Sequence, residues 1–374
     1  MDKEWGKSIR PARYWHRQGA DHAVCDLCPR HCHLGPGQRG LCFVRANIEG
    51  VMVLTGAGRS SGFCVDPIEK KPLAHFLPGT PVLSFGGAGC NLTCAGCQNW
   101  RLSRARSMDR LGVVASPRAI ADLAFGLGCR SVAFTYNDPV IACEEVIDVA
   151  LACRERGLRT VAVTAGYIDP APARDFFAVI DAANVDLKAF REDSHRKLTS
   201  AHLGPVLETL RFLAGEAAVW LEITTLLIPG RNDGDEELAD LAAFVAADLG
   251  REVPLHFTAF HPDHRLSALP ATPAATLLRA REIARAAGLA HVYLGNLPAG
   301  ALGGAEDGET TACVGCGAPL IGRRGYAITG WALDDSGQCL GCGRAMAGVI
   351  EGPPGTWGAR RLPVRPPGPG LASG

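Results

Sequence analysis

Between residues 81 and 297, short apolar runs alternate with segments of helical period. The runs are PVLSFGG, SVAFTYN, TVAVTAG, NVDLKAF, VWLEITTLLIPG, VPLHFTAF and HVYLGNL. Each has the length of a strand and is nearly continuous in apolar character, the pattern of parallel strands buried on both faces. The segments between them read as amphipathic helices. In DGDEELADLAAFVAADLG, residues Leu238, Leu241, Phe244, Val245 and Leu249 share one face. Asp233 is its expected N-cap, with Glu236 three residues on and Gly250 as the stop. In TPAATLLRAREIARAAGL, Thr272 is the expected cap and Pro273 the first helical residue. Seven strands with intervening helices predict an α/β fold, a partial (β/α) barrel. A doubly wound sheet is the competitor, and period alone does not separate the two. In either fold, ligands gather at the C-terminal ends of the strands.

Cysteines divide the rest of the chain. Of fifteen, four lie at Cys25, Cys28, Cys32 and Cys42, three at Cys90, Cys94 and Cys97, and four at Cys313, Cys316, Cys339 and Cys342. The remaining Cys64, Cys129, Cys143 and Cys153 read as small buried hydrophobes. The expected organisation is a four-cysteine module over 1–50, a bridge over 51–80, the α/β core over 81–297 and a linker over 298–309. A second four-cysteine module follows over 310–350, then a Pro/Gly-rich tail without fixed structure over 351–374. No apolar run of signal-peptide type and no stretch of 18 apolar residues occurs, so a cytoplasmic protein with no membrane span is expected. Grouped thiols in such a compartment hold metal more often than they form disulfides. The 38 basic and 38 acidic residues balance, which argues against a broad nucleic-acid footprint.

The three-cysteine group follows the first core strand in GGAGCNLTCAGCQNW, spaced C-x3-C-x2-C. Thiolates are soft ligands suited to iron and sulfide. Four cysteines saturate a four-iron cluster, whereas three leave one iron open to a substrate. The competing reading is a zinc site that borrows a fourth ligand, or a chance grouping. The neighbouring glycines let the backbone bend tightly and approach a ligand.

C-x3-C-x2-C after the first barrel strand resembles the signature of the radical S-adenosylmethionine superfamily. VDPIEKKPLAHFLPGT, GCNLTCAGCQNW, FTYNDP, VDLKAF, LLIPGRND, FTAFHPD and YLGN, in that order, look like the radical enzyme of the AmmeMemoRadiSam system. The likeness covers about residues 20–350, and the core is also similar to pyruvate formate-lyase activating enzyme. It implies that Cys90, Cys94 and Cys97 ligate a 4Fe-4S cluster. The open iron of that cluster would bind S-adenosylmethionine and cleave it reductively, and the resulting radical would abstract a hydrogen atom from an unidentified substrate. It also implies a one-electron reductant such as flavodoxin or ferredoxin, and allows a protein substrate or partner.

The cofactor would draw on polar residues at strand ends. Gly96 stands where the superfamily commonly carries an aromatic residue beside the adenine. Asp138 stands where the family commonly has Glu, and Ala165 where it commonly has Asn. Thr135, Asn137 and Asp138 end the second strand; Asp138 suits the ammonium of the cofactor or, equally, a helix N-cap. Asp186 and Lys188 end the fourth strand on one side, to meet a carboxylate or ribose or to pair with each other. Glu222, an acid inside an apolar strand, needs a partner, for which Lys188 is the candidate. His256 and His261 read as core or surface histidines, and Asn296 as a strand-end residue facing the site.

Paired C-x2-C knuckles at Cys313, Cys316, Cys339 and Cys342 predict a structural zinc ribbon, with rubredoxin-type iron as the lesser alternative. Cys25, Cys28, Cys32 and Cys42, spaced C-x2-C-x3-C-x9-C, suit zinc or an auxiliary Fe-S cluster, with His31 or His33 as substitute ligands. Two other functions remain open at this level. One is a glycyl-radical enzyme activating enzyme; the other is a zinc-dependent adaptor that binds nucleic acid or protein, against which the 6% aromatic content counts.

Overall fold

The computed structural model describes residues 8–106, 112–298, 300–302 and 308–366. The seven expected strands all form: β1 (Pro81–Phe85), β2 (Ser131–Phe134), β3 (Arg159–Thr164), β4 (Ala182–Asp186), β5 (Trp220–Leu227), β6 (Leu255–Ala259) and β7 (Val292–Gly295). They are parallel and lie side by side in chain order. A doubly wound sheet reverses its strand order at a switch point. This sheet never reverses, so the open (β/α) barrel is the correct alternative. Helices α1 (Pro117–Gly126), α2 (Cys143–Glu155), α3 (Pro170–Phe177), α4 (Glu192–Thr199), α5 (Gly204–Gly215), α6 (Asp235–Phe244) and α7 (Ala274–Ala286) fill the crossovers. Their apolar faces and the strands share one core, which includes Phe176, Phe177, Leu210, Phe257 and Leu277.

Two strands extend the sheet antiparallel beyond β1: Phe63–Pro67, then Leu362–Val364 at the edge. The tail expected to lack fixed structure therefore completes the sheet with residues 362–364; residues 367–374 lie outside the described residues, as do 299 and 303–307 of the expected linker. Val51–Thr55 pairs with both Ile9–Pro11 and Arg45–Ile48, so the N-terminal unit runs on past residue 50.

Two expected helix caps bond elsewhere, one within its own turn and one across the fold. Gly234, not Asp233, precedes α6, and the Asp233 carboxylate instead accepts from the Gly230 N–H at 2.8 Å. Pro273 occupies the cap of α7. The buried Thr272 hydroxyl accepts from Phe260 N at 3.0 Å and donates to Leu227 O at 2.6 Å, tying the end of β5 to the end of β6. Thr272→Val leaves both backbone groups unpaired in the interior. Urea unfolding is expected to show a loss of about 1–3 kcal/mol.

Candidate active site

The three-cysteine loop is held from several sides. Asn91 donates to Tyr167 O, Thr93 N to Thr199 O, Ala95 N to Leu198 O, and Arg265 N to Ala95 O, all at 2.8–3.1 Å. Asn137 clamps the preceding glycines: its Oδ1 accepts from Gly87 N and its Nδ2 donates to Gly89 O, both at 3.0 Å. At Gly86 the backbone passes so close to the Thr135 carbonyl that a Cβ would overlap it. Any other residue would push the loop off the end of β2.

Cys90, Cys94 and Cys97 are half-buried and line a cavity of about 870 Å³ on the inner side of the curved sheet. The cavity has room for a nucleotide-sized ligand and a further molecule. The three sulfurs do not gather within 4.8 Å of one another as they would around a single ion. Burial pushes the Cys94 thiol up to about 11, partly offset by the Lys188 ammonium. Burial raises Cys90 as well, with the charges of Asp138 and Cys94 adding to it. Ligation here must therefore displace protons.

Residues 85–242 match the profile of the Radical SAM superfamily. Uncharacterized protein MJ0808 of Methanocaldococcus jannaschii is 38% identical over 91% of this chain and 100% of its own length. The 4-hydroxyphenylacetate decarboxylase activating enzyme of Clostridioides difficile is 27% identical over 49% of this chain and 58% of its own. The chain belongs to the radical SAM superfamily. The crystal structure of a radical SAM methyltransferase from Sphaerobacter thermophilus overlays with a TM-score of 0.46 at 14% identity, over 77% of each chain.

Radical SAM enzymes typically pair a four-iron cluster with S-adenosylmethionine, and the residues expected around that cofactor all border the same cavity. Gly96, Thr135, Asn137, Asp138, Asp186 and Lys188 line it, as do His256, His261 and Asn296. Their side chains differ in how far the protein already occupies them. Asp138 accepts from Val140 N at 3.1 Å, which caps the following turn, and from Thr164 Oγ1 at 2.8 Å and Ala165 N at 2.9 Å. Asp186 and Lys188 pair with each other at 2.7 Å while staying half-buried at the cavity wall. Gly96 faces Phe260 and Leu266, and a Cβ would meet each at 3.2 Å. Phe260, directly after β6, and Leu266 fill the space that a side chain at position 96 would take. His261 Nε2 bonds Asn296 O at 3.0 Å, and Asn296 Nδ2 donates to Ala259 O.

Glu222 does not meet Lys188. Its carboxylate takes His256 Nε2 at 2.6 Å, Ala74 N and His75 N at 2.8 Å and Trp220 Nε1 at 2.9 Å. Burial alone would raise its pKa, but the hydrogen bond and charge of His256, with His75 and the Ala74 N–H, outweigh burial and hold it at about 2 instead of 4.5. A depressed carboxylate stabilises the fold above its unfolded pKa and loses that contribution as pH falls through the folded value. The stabilisation from Glu222 is full above about pH 4.5 and lost toward pH 2, on the order of 3 kcal/mol. Glu222→Gln is expected to remove that component of the acid dependence, read from urea unfolding of both proteins across this range.

Sequence reasoning missed the far wall. His75 bonds Tyr293 Oη at 2.6 Å, Tyr293 Oη bonds Thr311 Oγ1 at 2.7 Å, and Arg323 Nη1 donates to Thr311 Oγ1 at 2.9 Å. Through this chain the C-terminal module is fastened to the barrel, and its Arg323 and Tyr326 border the cavity. The HFLPGT run around His75 and the YLGN run that begins with Tyr293 carried signal in the sequence, whereas Thr311 and Arg323 carried none.

The two outer modules differ in geometry. All four sulfurs of Cys313, Cys316, Cys339 and Cys342 lie within 4.8 Å of one another. Cys313 and Cys342 stand 3.5 Å apart, and Cys316 and Cys339 3.7 Å apart. Gly315 N and Gly341 N donate to the sulfurs of Cys313 and Cys339. The backbone N–H groups of Cys316 and Gly315 hold the Cys313 thiol down at about 6. The strands Pro319–Arg324 and Ala327–Trp331 form a hairpin beside this group. Cys25, Cys28, Cys32 and Cys42 instead surround an internal cavity. His31 faces Asp169 at 3.6 Å and His33 bonds Gln18, both on the surface. Among the described residues, no helix is long and apolar enough to cross a membrane.

Proposed function

We propose that this protein cleaves S-adenosylmethionine reductively at a 4Fe-4S cluster held by Cys90, Cys94 and Cys97, and abstracts a hydrogen atom from a substrate bound in the same cavity. The observation that carries this reading is the trio of half-buried thiols, spread wider than a single ion allows, at the edge of an 870 Å³ cavity. A cluster held by Cys90, Cys94 and Cys97 would pass one electron, taken from an external one-electron reductant, to S-adenosylmethionine. The chain's own residues do the rest. The hydrogen bonds to Asn91, Thr93 and Ala95 fix the loop before any ligand arrives. Lys188 sets a positive charge beside Cys94 and, with Asp186, offers a charged pair at strand-end height for the polar methionine portion. The cavity wall from the C-terminal module, with Arg323 and Tyr326, limits what enters and keeps water from a reactive radical. The C-terminal sulfurs, spaced as in a closed tetrahedron, support structural zinc in that module.

Anaerobically reconstituted protein with dithionite and S-adenosylmethionine should release 5′-deoxyadenosine. Folded, cluster-loaded protein that releases none above a control without reductant would overturn the reading. Deuterium transfer from labelled extract into that product would identify the hydrogen donor.

The relatives named as activating enzymes favour a second reading, in which the hydrogen comes from a glycine of a partner protein. A glycyl radical detected by electron paramagnetic resonance after incubation with such a partner would select it.

A further inference from the structure

We propose that Cys25, Cys28, Cys32 and Cys42 hold a second four-iron cluster rather than zinc. Four thiolates on one zinc ion at ~2.3 Å stand about 3.8 Å apart. The C-terminal module shows that spacing, with sulfur pairs at 3.5 Å and 3.7 Å. The N-terminal cysteines do not: among the described residues, no three of their sulfurs come within 4.8 Å of one another. They are not scattered either. All four face one internal cavity, and the sulfurs of Cys32 and Cys42 both border Gly40, 3.5 and 3.7 Å from where its Cβ would be. Four cysteines lining a shared space, with no three sulfurs close enough for one ion, fit a cluster whose own core separates its ligands by about 6 Å.

The surroundings fit the same occupant. Leu27, Leu34 and Ile141 line the cavity and shield it from water. Arg45 lines it too, its guanidinium buried and paired with Glu144. With four protein ligands the cluster has no open corner, so it exchanges electrons and does not bind substrate. Its position is beside the radical site. The Cys42 carbonyl packs on Gly89, where a Cβ would overlap it, and Arg30 donates to Asn91 O at 2.9 Å. Asn91 lines the N-terminal cavity, while its neighbours Cys90 and Leu92 line the large one. One stretch of chain, residues 89–92, therefore separates the two.

This inference stands apart from the radical chemistry, and one variant separates them. The full chain with Cys90→Ala, Cys94→Ala and Cys97→Ala together keeps the N-terminal set intact. After anaerobic reconstitution with iron and sulfide it should retain about four iron and four sulfide per chain, against about eight in the wild type, with one zinc in each. Mössbauer spectra of the variant should show a four-iron cluster, and dithionite should reduce it. Two zinc and no iron in the variant would overturn the inference, as would a two-iron cluster. If the variant does not fold, the wild-type iron count decides: about eight supports the second cluster, and about four with two zinc refutes it. Equal counts of about four iron in wild type and variant would sink the proposed function and leave the second cluster standing.

Discussion

Alanine at Cys94 is expected to end 5′-deoxyadenosine production and to lower the iron content by about four atoms per chain. Cys94 is the middle cysteine of the loop, and its thiol faces the Lys188 ammonium at the cavity wall. Two remaining thiolates cannot grip a cube that three hold, so cluster and chemistry leave together. The fold should persist, because the backbone around Cys94 is pinned by Thr93 N and Ala95 N and not by its sulfur. Circular dichroism and thermal unfolding without metal should match the wild type, which separates loss of the site from loss of the protein. Burial holds this thiol up at about 11, so ligation releases a proton. Reconstitution should accordingly become less complete as pH is lowered, read as iron bound per chain. A Cys94→Ala protein that still produced the nucleoside would remove the thiol trio from the reaction.

The second large effect is structural. Arg45 Nη2 donates to both carboxylate oxygens of Glu144, at 2.6 and 2.8 Å, in an ion pair whose side chains are almost wholly buried. Arg45 also donates to Arg13 O at 3.0 Å, and Glu144 accepts from Arg13 N at 2.6 Å. The pair joins the N-terminal sheet to the first turn of α2, across a distance of 99 residues in sequence. Removal of one partner leaves a charge without compensation in the interior. Arg45→Ala or Glu144→Ala is expected to cost about 3–5 kcal/mol, measured by urea unfolding. The double replacement by Met and Leu should recover much of that loss, because an apolar pair of similar volume removes the unpaired charge along with the bridge. If both single variants unfolded at the wild-type midpoint, the N-terminal module would not depend on this contact for its attachment.

The parts legible in the sequence were those set by local pattern. All seven strands stood out because both faces of each are buried, which leaves continuous apolar runs. The C-terminal ribbon was legible because two C-x2-C knuckles each make their own turn, with Gly317 and Gly343 at positive φ. The caps at Asp233 and Thr272 were misread for one physical reason. A side chain able to cap a helix can equally bond any exposed backbone group nearby, and folding brought Gly230 N to one, and Phe260 N and Leu227 O to the other. Glu222 was recognised as an acid in need of a partner, but the partner was wrong. His256 reaches it from the adjacent strand β6, and His75 and Ala74 supply N–H groups from 147 and 148 residues away.

The sequence by itself determined the barrel's strands, the grouping of eleven cysteines and the spacing of the thiol trio, because each follows from periodicity or from residues a few positions apart. Tertiary structure decided what those groups face. It chose a sheet without a switch point over the doubly wound alternative, and it turned Asp138 into a clasp for Thr164 and Ala165. It also brought the C-terminal module to the cavity wall and spread the N-terminal sulfurs around a space while closing the C-terminal ones to within 4.8 Å. These outcomes depend on contacts between residues far apart in the chain, whose partners are selected by packing and by the burial of polar groups, and no local pattern encodes that choice.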